Sequence, residues 1–329
     1  MAKEFQNLEY PLPDSVKNNW VNARAPKWFV PYLRLSRLDR PIGTWLLLLP
    51  CWWGCLLAVC YDGTGFRLFD LWILIGCALG AILMRGAGCT WNDIIDKDLD
   101  SKVERTRDRP IPSKSINLLA GYSWLVLQLL LAFFILITYN KAAIIVGLCS
   151  LIPVIVYPFA KRFTWWPQVF LGIAFNWGIL FAWTAHNGSI ESPAILLYLA
   201  GIFWTLFYDT IYAHQDIEDD LLIGIKSTAI FFGESTKKWL GVFIILICFF
   251  FITAIIDTFE IAYQHKQMII CTVGIIIFGF HLIWQTFKVD IKNWASCLHV
   301  FRSNRDAGLI IVLFLTITHP TEGFNPVSP

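Results

Sequence analysis

Two clusters of acidic residues are the part of this sequence best suited to chemistry. The first occupies residues 92–100 and the second residues 209–220, each at the end of an apolar stretch. Because an α-helix has about 3.6 residues per turn, the spacing predicts that the acidic side chains of each cluster share one helix face. The first face carries Asp93, Asp96 and Asp100, and the second carries Asp209, Asp216 and Asp220.

Carboxylates that lie together on a helix face repel one another, so both clusters predict a bound cation. All-oxygen sites suit hard cations, and Mg²⁺ usually binds through one or two carboxylates together with substrate phosphates. The pattern therefore indicates an enzyme that holds a diphosphate through Mg²⁺. The predicted catalytic carboxylates are Asp93, Asp96, Asp209, Asp216 and Asp220, and the predicted metal ligands are Asp93, Asp96, Asp100, Asp216 and Asp220.

Basic residues follow each cluster, where they can neutralise phosphate oxygens that a metal ion leaves exposed. Asn92 adds a neutral oxygen or an amide donor beside Asp93. Arg85 lies eight residues before Asp93 in an apolar stretch, and a charge there is a functional candidate because burying it in lipid is costly. The residues predicted to bind the diphosphate are Asn92, Arg85, Lys102, Arg105 and Lys226.

Other interpretations of these residues stay open. Arg107 and Arg109 fit either a phosphate-binding loop or a solvated loop whose charges only fix the topology. Arg85 can also extend its long side chain to the headgroup region. His214, a single histidine beside the second cluster, fits a packing role better than the role of a metal ligand.

The composition places these clusters in a membrane protein. Of the 329 residues 57% are hydrophobic and 15% are charged, whereas a soluble domain carries about 25% charged residues. The formal net charge of +2 gives no reason to expect nucleic-acid binding. The start of the chain does not resemble a cleaved signal peptide. We therefore expect residues 1–40 to form a cytoplasmic tail with an interfacial segment, and the first apolar stretch to act as an uncleaved insertion signal.

Nine apolar stretches approach the length of about 20 residues that a membrane-spanning helix needs. We therefore expect an all-α fold, a polytopic integral membrane helical bundle of about nine transmembrane helices in residues 41–319, with a short polar tail at 320–329. The predicted spans are residues 42–60, 71–91, 117–138, 142–159, 168–185, 193–212, 239–256, 268–286 and 306–319.

The distribution of basic residues tests this count of spans. With a cytoplasmic N-terminus and nine crossings, 22 Lys and Arg residues fall on the cytoplasmic side and 3 on the other. This asymmetry obeys the positive-inside rule and predicts that both acidic clusters face the cytoplasm. One missed span between the clusters would separate them across the bilayer.

Several motifs resemble those of the UbiA-type intramembrane prenyltransferases. Both acidic clusters match, as N-D-x-x-D-x-x-x-D at residues 92–100 and D-x-x-x-D at residues 216–220. Together the motifs are most similar to proteobacterial members that act on 4-hydroxybenzoate. Ile217 departs from the pattern, since a basic residue is usual there, and this puts a phosphate contact at that position in doubt. Other matching stretches are residues 37–43, 84–89, 105–110, 157–162 and 225–229.

The resemblance implies transfer of a polyprenyl group from polyprenyl diphosphate to the ring of 4-hydroxybenzoate, ortho to the hydroxyl, in ubiquinone biosynthesis. It implies Mg²⁺ as the cofactor and a bacterial inner membrane, with the N-terminus and the active site cytoplasmic. The implied partners are the two substrates and the lipid bilayer, without nucleic acid or an obligate protein partner. The carboxylate of the aromatic acid needs a cation, and the candidates are Arg37, Arg40 and Arg162.

Three other functions fit the pattern less well. A lipid phosphatidyltransferase has a compact aspartate motif with interposed glycines, which this sequence lacks. A related prenyltransferase with another aromatic or quinone-precursor acceptor shares the acidic motifs, but residues 157–162 and 209–228 favour hydroxybenzoate. A cation transporter places ionisable groups near the bilayer midplane, whereas here the carboxylates gather at the ends of spans.

Overall fold

The computed structural model describes residues 19–102, 106–261 and 264–318, and within these ranges the chain forms helices without a β-strand. The α-helices are α1 (Trp20–Arg24), α2 (Val30–Leu35), α3 (Ile42–Asp62), α4 (Leu68–Ile95), α5 (Lys97–Asp100), α6 (Leu118–Leu136), α7 (Lys141–Cys149), α8 (Leu151–Phe163), α9 (Pro167–Asn187), α10 (Ser192–Ala213), α11 (Ile217–Ile223), α12 (Thr228–Phe232), α13 (Thr236–Ile261), α14 (His265–Lys288) and α15 (Trp294–Ile317).

Eight helical segments in the described part of the chain are long and apolar enough to cross a membrane. Six of them are single helices, whereas α7 with α8 and α12 with α13 each count as one segment. These segments correspond to the first eight predicted spans. Together with α15 they confirm the predicted all-α membrane bundle of about nine helices.

The ninth predicted span, residues 306–319, differs most from the structure. α15 begins at Trp294 and its first half contains two arginines, so the helix is not one of the eight apolar segments. Asn304, in that first half, is fully buried and accepts a hydrogen bond from Trp204 Nε1 at 3.0 Å. The sequence prediction failed here because it required an apolar run, whereas a buried polar contact holds this part of the helix. Residue 319 lies outside the described ranges.

The fourth predicted span, residues 142–159, contains a break at Ser150. Pro153 has no backbone N–H, so the carbonyl of Cys149 cannot receive the usual hydrogen bond from the residue four positions later. α7 therefore ends at Cys149, and Ser150 is the cap residue between α7 and α8.

The described residues belong to two compact units. Unit one is drawn from residues 1–45 and 79–137, and unit two from residues 46–78 and 138–329. α3 and α4 each begin in one unit and end in the other. Unit one contains α1, α2, α5 and α6 in full, and unit two contains α7 to α15.

In unit two, α10 is the helix around which others pack. It contacts α9 and α13 most extensively and also contacts α15. α14 contacts both α13 and α15. The close approach of α9 and α10 requires Gly201, because a Cβ at this position would overlap the side chain of Asn176. Small residues serve this purpose in membrane proteins because lipid provides no hydrophobic force that drives helices together.

One side chain, Asn140, connects the start of α7 with the end of α9. Its Oδ1 caps α7 by accepting a hydrogen bond from Ala143 N at 2.8 Å. Its Nδ2 donates to the carbonyls of Thr184 and Ala185 at 2.9 and 3.0 Å. The Thr184 carbonyl also receives Gly188 N at 2.8 Å, and Asn140 adds a donor for both carbonyls at the end of α9, where helix carbonyls run short of backbone donors.

A buried polar cluster in unit two joins the end of α3, the start of α4 and the end of α9. His186 Nδ1 lies 2.6 Å from Asp70 Oδ1, and His186 Nε2 lies 3.0 Å from Asp62 Oδ2. Asp70 is fully buried and accepts a further hydrogen bond from Arg67 N at 2.7 Å. A buried carboxylate strongly destabilises a fold unless it has such partners, so the cluster fixes the α3–α4 connection against α9.

We expect Asp70→Ala to lower the free energy of unfolding by about 3–5 kcal/mol, because it removes the fully buried carboxylate that pairs with Nδ1 of His186. Asp306→Ala is the matched control. Asp306 pairs with Arg305 where both side chains are about half exposed, and losing such a pair costs at most about 1 kcal/mol. Unfolding of the detergent-solubilised protein measures both effects. Equal losses for the two variants would contradict the proposed role of Asp70.

Candidate active site

The first acidic cluster lies at a helix break rather than on one continuous helix. α4 ends at Ile95, Asp96 has a ψ of 5°, and α5 begins at Lys97. The predicted single helix face with Asp93, Asp96 and Asp100 is therefore wrong. Aspartate is a weak helix former, and like charges three or four residues apart destabilise a helix. The crowding of carboxylates that suggested the shared face thus favours the interruption.

The second acidic cluster is built in the same way. A turn separates α10 from α11, with Asp216 immediately before α11 at a ψ of 3° and Asp220 inside it. In each cluster an aspartate N–H donates at 2.8 Å to the carbonyl of the aspartate four residues earlier, from Asp220 to Asp216 and from Asp100 to Asp96. The predicted face that also included Asp209 is wrong, because Asp209 belongs to the preceding helix, α10.

Two arginines hold Asp93 in unit one. Arg37 Nη2 donates to Asp93 Oδ1 at 2.6 Å, and Arg109 Nη1 lies 3.4 Å from the same oxygen. Arg109 Nη1 also donates to Asp100 Oδ2 at 2.7 Å, so Arg109 links two of the predicted metal ligands. These guanidinium groups offset part of the repulsion between Asp93 and Asp100.

One oxygen of Asp93 has the surroundings that a metal ion would need. Asp93 and Asp96 are both fully buried. Asp93 Oδ2 has no hydrogen-bond partner among the described residues, and a buried carboxylate oxygen without a partner is costly. A hard cation would satisfy this oxygen, so the residues present fit Mg²⁺.

The remaining predicted metal ligands stay predictions. Within the described ranges, no group of three or more His, Cys, Asp or Glu side chains is arranged so that it could hold a metal ion. Asp100 is paired with Arg109, and Asp209, Asp216 and Asp220 are half-buried in unit two.

Arg85, predicted to bind the diphosphate, is a half-buried residue of α4 in unit one. Its guanidinium group lies against Gly43 of α3, where an added Cβ would come within 2.6 Å of Arg85 Nε and Nη2. Gly43 therefore leaves the space that the Arg85 side chain occupies. This gives a steric role to the glycine of the 37–43 stretch.

The three arginines predicted for the aromatic carboxylate have different surroundings. Arg37 contacts Asp93, as described above. Arg40 donates twice to its neighbour Asp39, from Nε to Oδ1 at 3.2 Å and from Nη2 to Oδ2 at 2.9 Å. Arg162 of unit two is exposed. Their roles toward the aromatic acid stay predictions.

Lys226 is anchored in unit two by its backbone and its side chain. Its backbone N donates to the carbonyl of Lys161 at 3.1 Å, and its Nζ lies 5.5 Å from the centre of the Trp165 ring. These contacts place Lys226 beside the 157–162 stretch singled out in the sequence. Of the other residues predicted to bind the diphosphate, Asn92 is half-buried, Lys102 is exposed and Arg105 lies outside the described ranges.

His214, next to the second acidic cluster, has its Nε2 3.0 Å from Thr236 Oγ1. Burial lowers the pKa of His214 to about 4. The imidazole is therefore neutral near pH 7 and engaged with a hydroxyl, which supports the packing role.

Sequence reasoning missed the polar network around Ser36, the residue before Arg37, and it left the role of Arg109 undecided. Ser36 Oγ donates to Gln128 Oε1 at 3.1 Å, and Trp124 Nε1 donates to Ser36 Oγ at 2.8 Å. Gln128 is buried and is the one amide side chain in the apolar helix α6. Such a residue is a signal for a buried polar contact, because a polar group inside a span needs a partner.

We expect Gly86→Ala to destabilise the protein, because a Cβ at position 86 would overlap Gln128 Oε1. Overpacking of this kind costs about 1–3 kcal/mol. Gly88→Ala is the matched control in the same helix, because no described atom lies within 4 Å of its Cβ position. Alanine there gains about 1 kcal/mol of helix propensity. A melting temperature for Gly86→Ala at or above that of Gly88→Ala would exclude close packing at Gly86.

Comparison with known proteins identifies similar sequences. The sequence profile of the UbiA prenyltransferase family matches residues 47–311. The chain is 45% identical over 299 residues to the rat protein named 4-hydroxybenzoate polyprenyltransferase, mitochondrial, covering 90% of this chain and 76% of the relative. The protein of the same name from Arabidopsis thaliana is 44% identical over 295 residues, covering 89% of this chain and 70% of the relative.

Solved structures of similar fold include a UbiA homolog from Aeropyrum pernix K1, with a TM-score of 0.66 and 22% identity over 84% of this chain and 98% of that one. A UbiA homolog from Archaeoglobus fulgidus, bound to GPP and Mg²⁺, has a TM-score of 0.62 and 19% identity over 88% of this chain and 98% of that one. At these identities the likeness establishes the fold alone.

The comparisons correct the predicted location. The similar rat, human and Arabidopsis proteins are mitochondrial and point to a mitochondrial membrane. The prediction of a bacterial inner membrane, with a cytoplasmic N-terminus and active site, is therefore wrong. That prediction rested on the resemblance to proteobacterial members, whereas a Lys and Arg asymmetry indicates only which helix ends share a side of a membrane and not which membrane that is.

Proposed function

This chain belongs to the UbiA prenyltransferase family, and we propose that it transfers a polyprenyl group from polyprenyl diphosphate to the ring of 4-hydroxybenzoate. The new bond forms ortho to the hydroxyl, diphosphate is released, and the product serves ubiquinone biosynthesis. The observation that carries the proposal is the 44–45% identity with relatives of that name over 89–90% of this chain.

The first acidic cluster would hold Mg²⁺ through Asp96 and Asp93, whose buried Oδ2 has no hydrogen-bond partner among the described residues. Bound Mg²⁺ would act as a Lewis acid that stabilises negative charge on the departing diphosphate. Asp216 and Asp220 are proposed as further metal ligands, and Asp209 as an orienting group, from the sequence pattern alone.

Basic side chains complete the neutralisation of the diphosphate. When the bond between the prenyl C1 and the diphosphate oxygen breaks, the electron pair stays with the diphosphate. Cationic and amide donors placed beforehand stabilise this charge without reorganisation. The proposed donors are Asn92, Arg85, Lys102, Arg105 and Lys226.

The aromatic acid must be oriented so that its ring carbon meets the allylic carbon. That ring carbon forms the new carbon–carbon bond and then loses its proton. We propose Arg162 as the partner of the aromatic carboxylate, because a guanidinium group binds a carboxylate through two parallel hydrogen bonds. Arg37 and Arg40 are less suited, because Arg37 Nη2 donates to Asp93 and both Nε and Nη2 of Arg40 donate to Asp39.

The spanning helices exclude water from the reaction. An allylic cation that met water would be hydrolysed, and apolar surroundings prevent this side reaction. We propose that the protein lies in a mitochondrial membrane, with its acidic clusters on the side that carries the Lys and Arg excess. In this proposal residues 41–319 form the catalytic domain together with residues 19–40, which belong to unit one and supply Arg37.

Incubation of the purified protein in lipid vesicles with ring-labelled 4-hydroxybenzoate and a polyprenyl diphosphate tests the activity. We expect a lipid-soluble labelled product with Mg²⁺ and none with excess EDTA, and added Mg²⁺ restores turnover. Equal product formation with EDTA would remove the metal from the proposal. Folded protein that forms no product with donors of several chain lengths would refute the acceptor or the activity.

Substitution of one carboxylate in each cluster tests the site. We expect Asp93→Asn and Asp216→Asn each to reduce turnover by about 100-fold or more, because each loses a charge aimed at the metal–diphosphate complex. Turnover is compared per amount of folded protein, because Asp93→Asn also removes the charge that pairs with buried Arg37. Asp98→Asn is the matched control, because Asp98 belongs to the same cluster but is exposed. Turnover of Asp93→Asn or Asp216→Asn at the level of Asp98→Asn would remove that residue from the site.

A further inference from the structure

The two oxygens of the Asp93 carboxylate have unequal surroundings in unit one. Oδ1 receives Arg37 Nη2 at 2.6 Å and has Arg109 Nη1 at 3.4 Å. Oδ2 is buried and has no hydrogen-bond partner among the described residues. Arg37 is the main partner of Oδ1, because Arg109 Nη1 makes its shorter bond, 2.7 Å, to Asp100. The carboxylate therefore has one occupied oxygen and one open oxygen.

Arg37 is held so that it keeps this oxygen occupied. It is a non-glycine residue in the left-handed region, with a φ of 57°, and it is buried. Such a conformation costs of order 1 kcal/mol and persists where the surroundings enforce it. The backbone N and Nη1 of Arg37 both donate to the carbonyl of Arg34, at 3.0 and 3.3 Å. The Arg34 carbonyl thus holds Nη1 of the guanidinium group, while Nη2 donates to Asp93.

A carboxylate with one open oxygen binds a metal ion through that oxygen alone. Mg²⁺ accepts this geometry, because it prefers six ligands in a regular octahedron at about 2.0–2.1 Å. Ca²⁺ takes about 6–8 oxygen ligands and often binds both oxygens of one carboxylate. We infer that Arg37 is a specificity-determining residue that favours Mg²⁺ over larger divalent cations by restricting Asp93 to single-oxygen ligation. This inference rests on the proposed Mg²⁺ site.

The test measures metal binding directly on the full-length protein in detergent, with a prenyl diphosphate present. Mn²⁺ serves as the spin probe, and its displacement by Mg²⁺ and by Ca²⁺ gives the two dissociation constants. Loss of a positive charge strengthens binding of both ions, and since both carry two charges that effect largely cancels in the ratio of the constants. The ratio therefore isolates the geometric effect of Arg37.

Arg37→Met removes the donor and the charge at nearly constant length. We expect the preference for Mg²⁺ over Ca²⁺ to fall about tenfold or more, which is the usual size of an effect from a residue that orients a metal ligand. Arg40→Met is the matched control, because it removes the same charge three residues away while the Arg40 guanidinium bonds Asp39. We expect Arg40→Met to keep the wild-type preference. An unchanged preference in Arg37→Met, or an equal change in both variants, overturns the inference.

Infrared difference spectroscopy of Mg²⁺ binding keeps the inference testable if Arg37→Met does not fold. Single-oxygen ligation separates the two carboxylate stretching bands more widely than two-oxygen ligation does. We expect the wild-type protein to show a widely split pair of bands that is absent in Asp93→Asn. A narrowly split pair assigned to Asp93 overturns the inference.

Failure of this inference and failure of the proposed function are distinguishable. If the wild-type protein transfers the prenyl group with Mg²⁺ and Arg37→Met keeps the wild-type ion preference, the proposed function stands and the inference about Arg37 is wrong. If the wild-type protein binds neither Mn²⁺ nor Mg²⁺, the proposed metal site is wrong, and so is the inference that rests on it.

Discussion

The ion pair between Arg37 and Asp93 is the contact on which the structure of unit one depends. A charged side chain removed from water costs several kcal/mol unless a partner of opposite charge and good geometry compensates it. Asp93 is fully buried near the end of α4 and finds that partner in the segment between α2 and α3. Arg109 extends the contact to Asp100 and so brings the segment after α5 into the same network. The end of α4, the segment between α2 and α3, α5 and the segment after α5 are thereby joined in one network.

Buried neutral polar contacts connect three helices of unit two. Asn304 accepts from Trp204 Nε1 at 3.0 Å and donates to Gln285 Oε1 at 3.1 Å, and all three residues are fully buried. Lipid provides no hydrophobic force that drives helices together, so hydrogen bonds and close contacts between small residues select which helices pack. These contacts place α10, α14 and α15 against one another. The same contacts explain why α15 extends into a polar sequence that does not look like a span.

Both acidic clusters have the same local structure. A long apolar helix ends, and a short helix begins after it, with an aspartate as the residue just before the short helix. Asp96 and Asp100 are four residues apart, as are Asp216 and Asp220, and in each pair the backbone N–H of the later aspartate donates to the carbonyl of the earlier one. A single uninterrupted helix would stack these carboxylates with their neighbours and increase their repulsion. In the first cluster Asp93 of the long helix and Asp100 of the short helix both contact Arg109 Nη1, whose charge offsets their repulsion.

The sequence by itself determined the all-α membrane class, eight of the spans and the family. Apolar length, charge asymmetry and short acidic motifs are local properties, and local properties can be read from a chain without its fold. Only the tertiary structure decided that Arg37 binds Asp93, that Arg109 bridges Asp93 and Asp100, and that Gln128 bonds Ser36. These partners lie 56, 9 and 92 residues apart in the chain. A basic or amide side chain looks the same in the sequence whether it faces solvent, a substrate or a buried carboxylate, and packing alone selects among these surroundings.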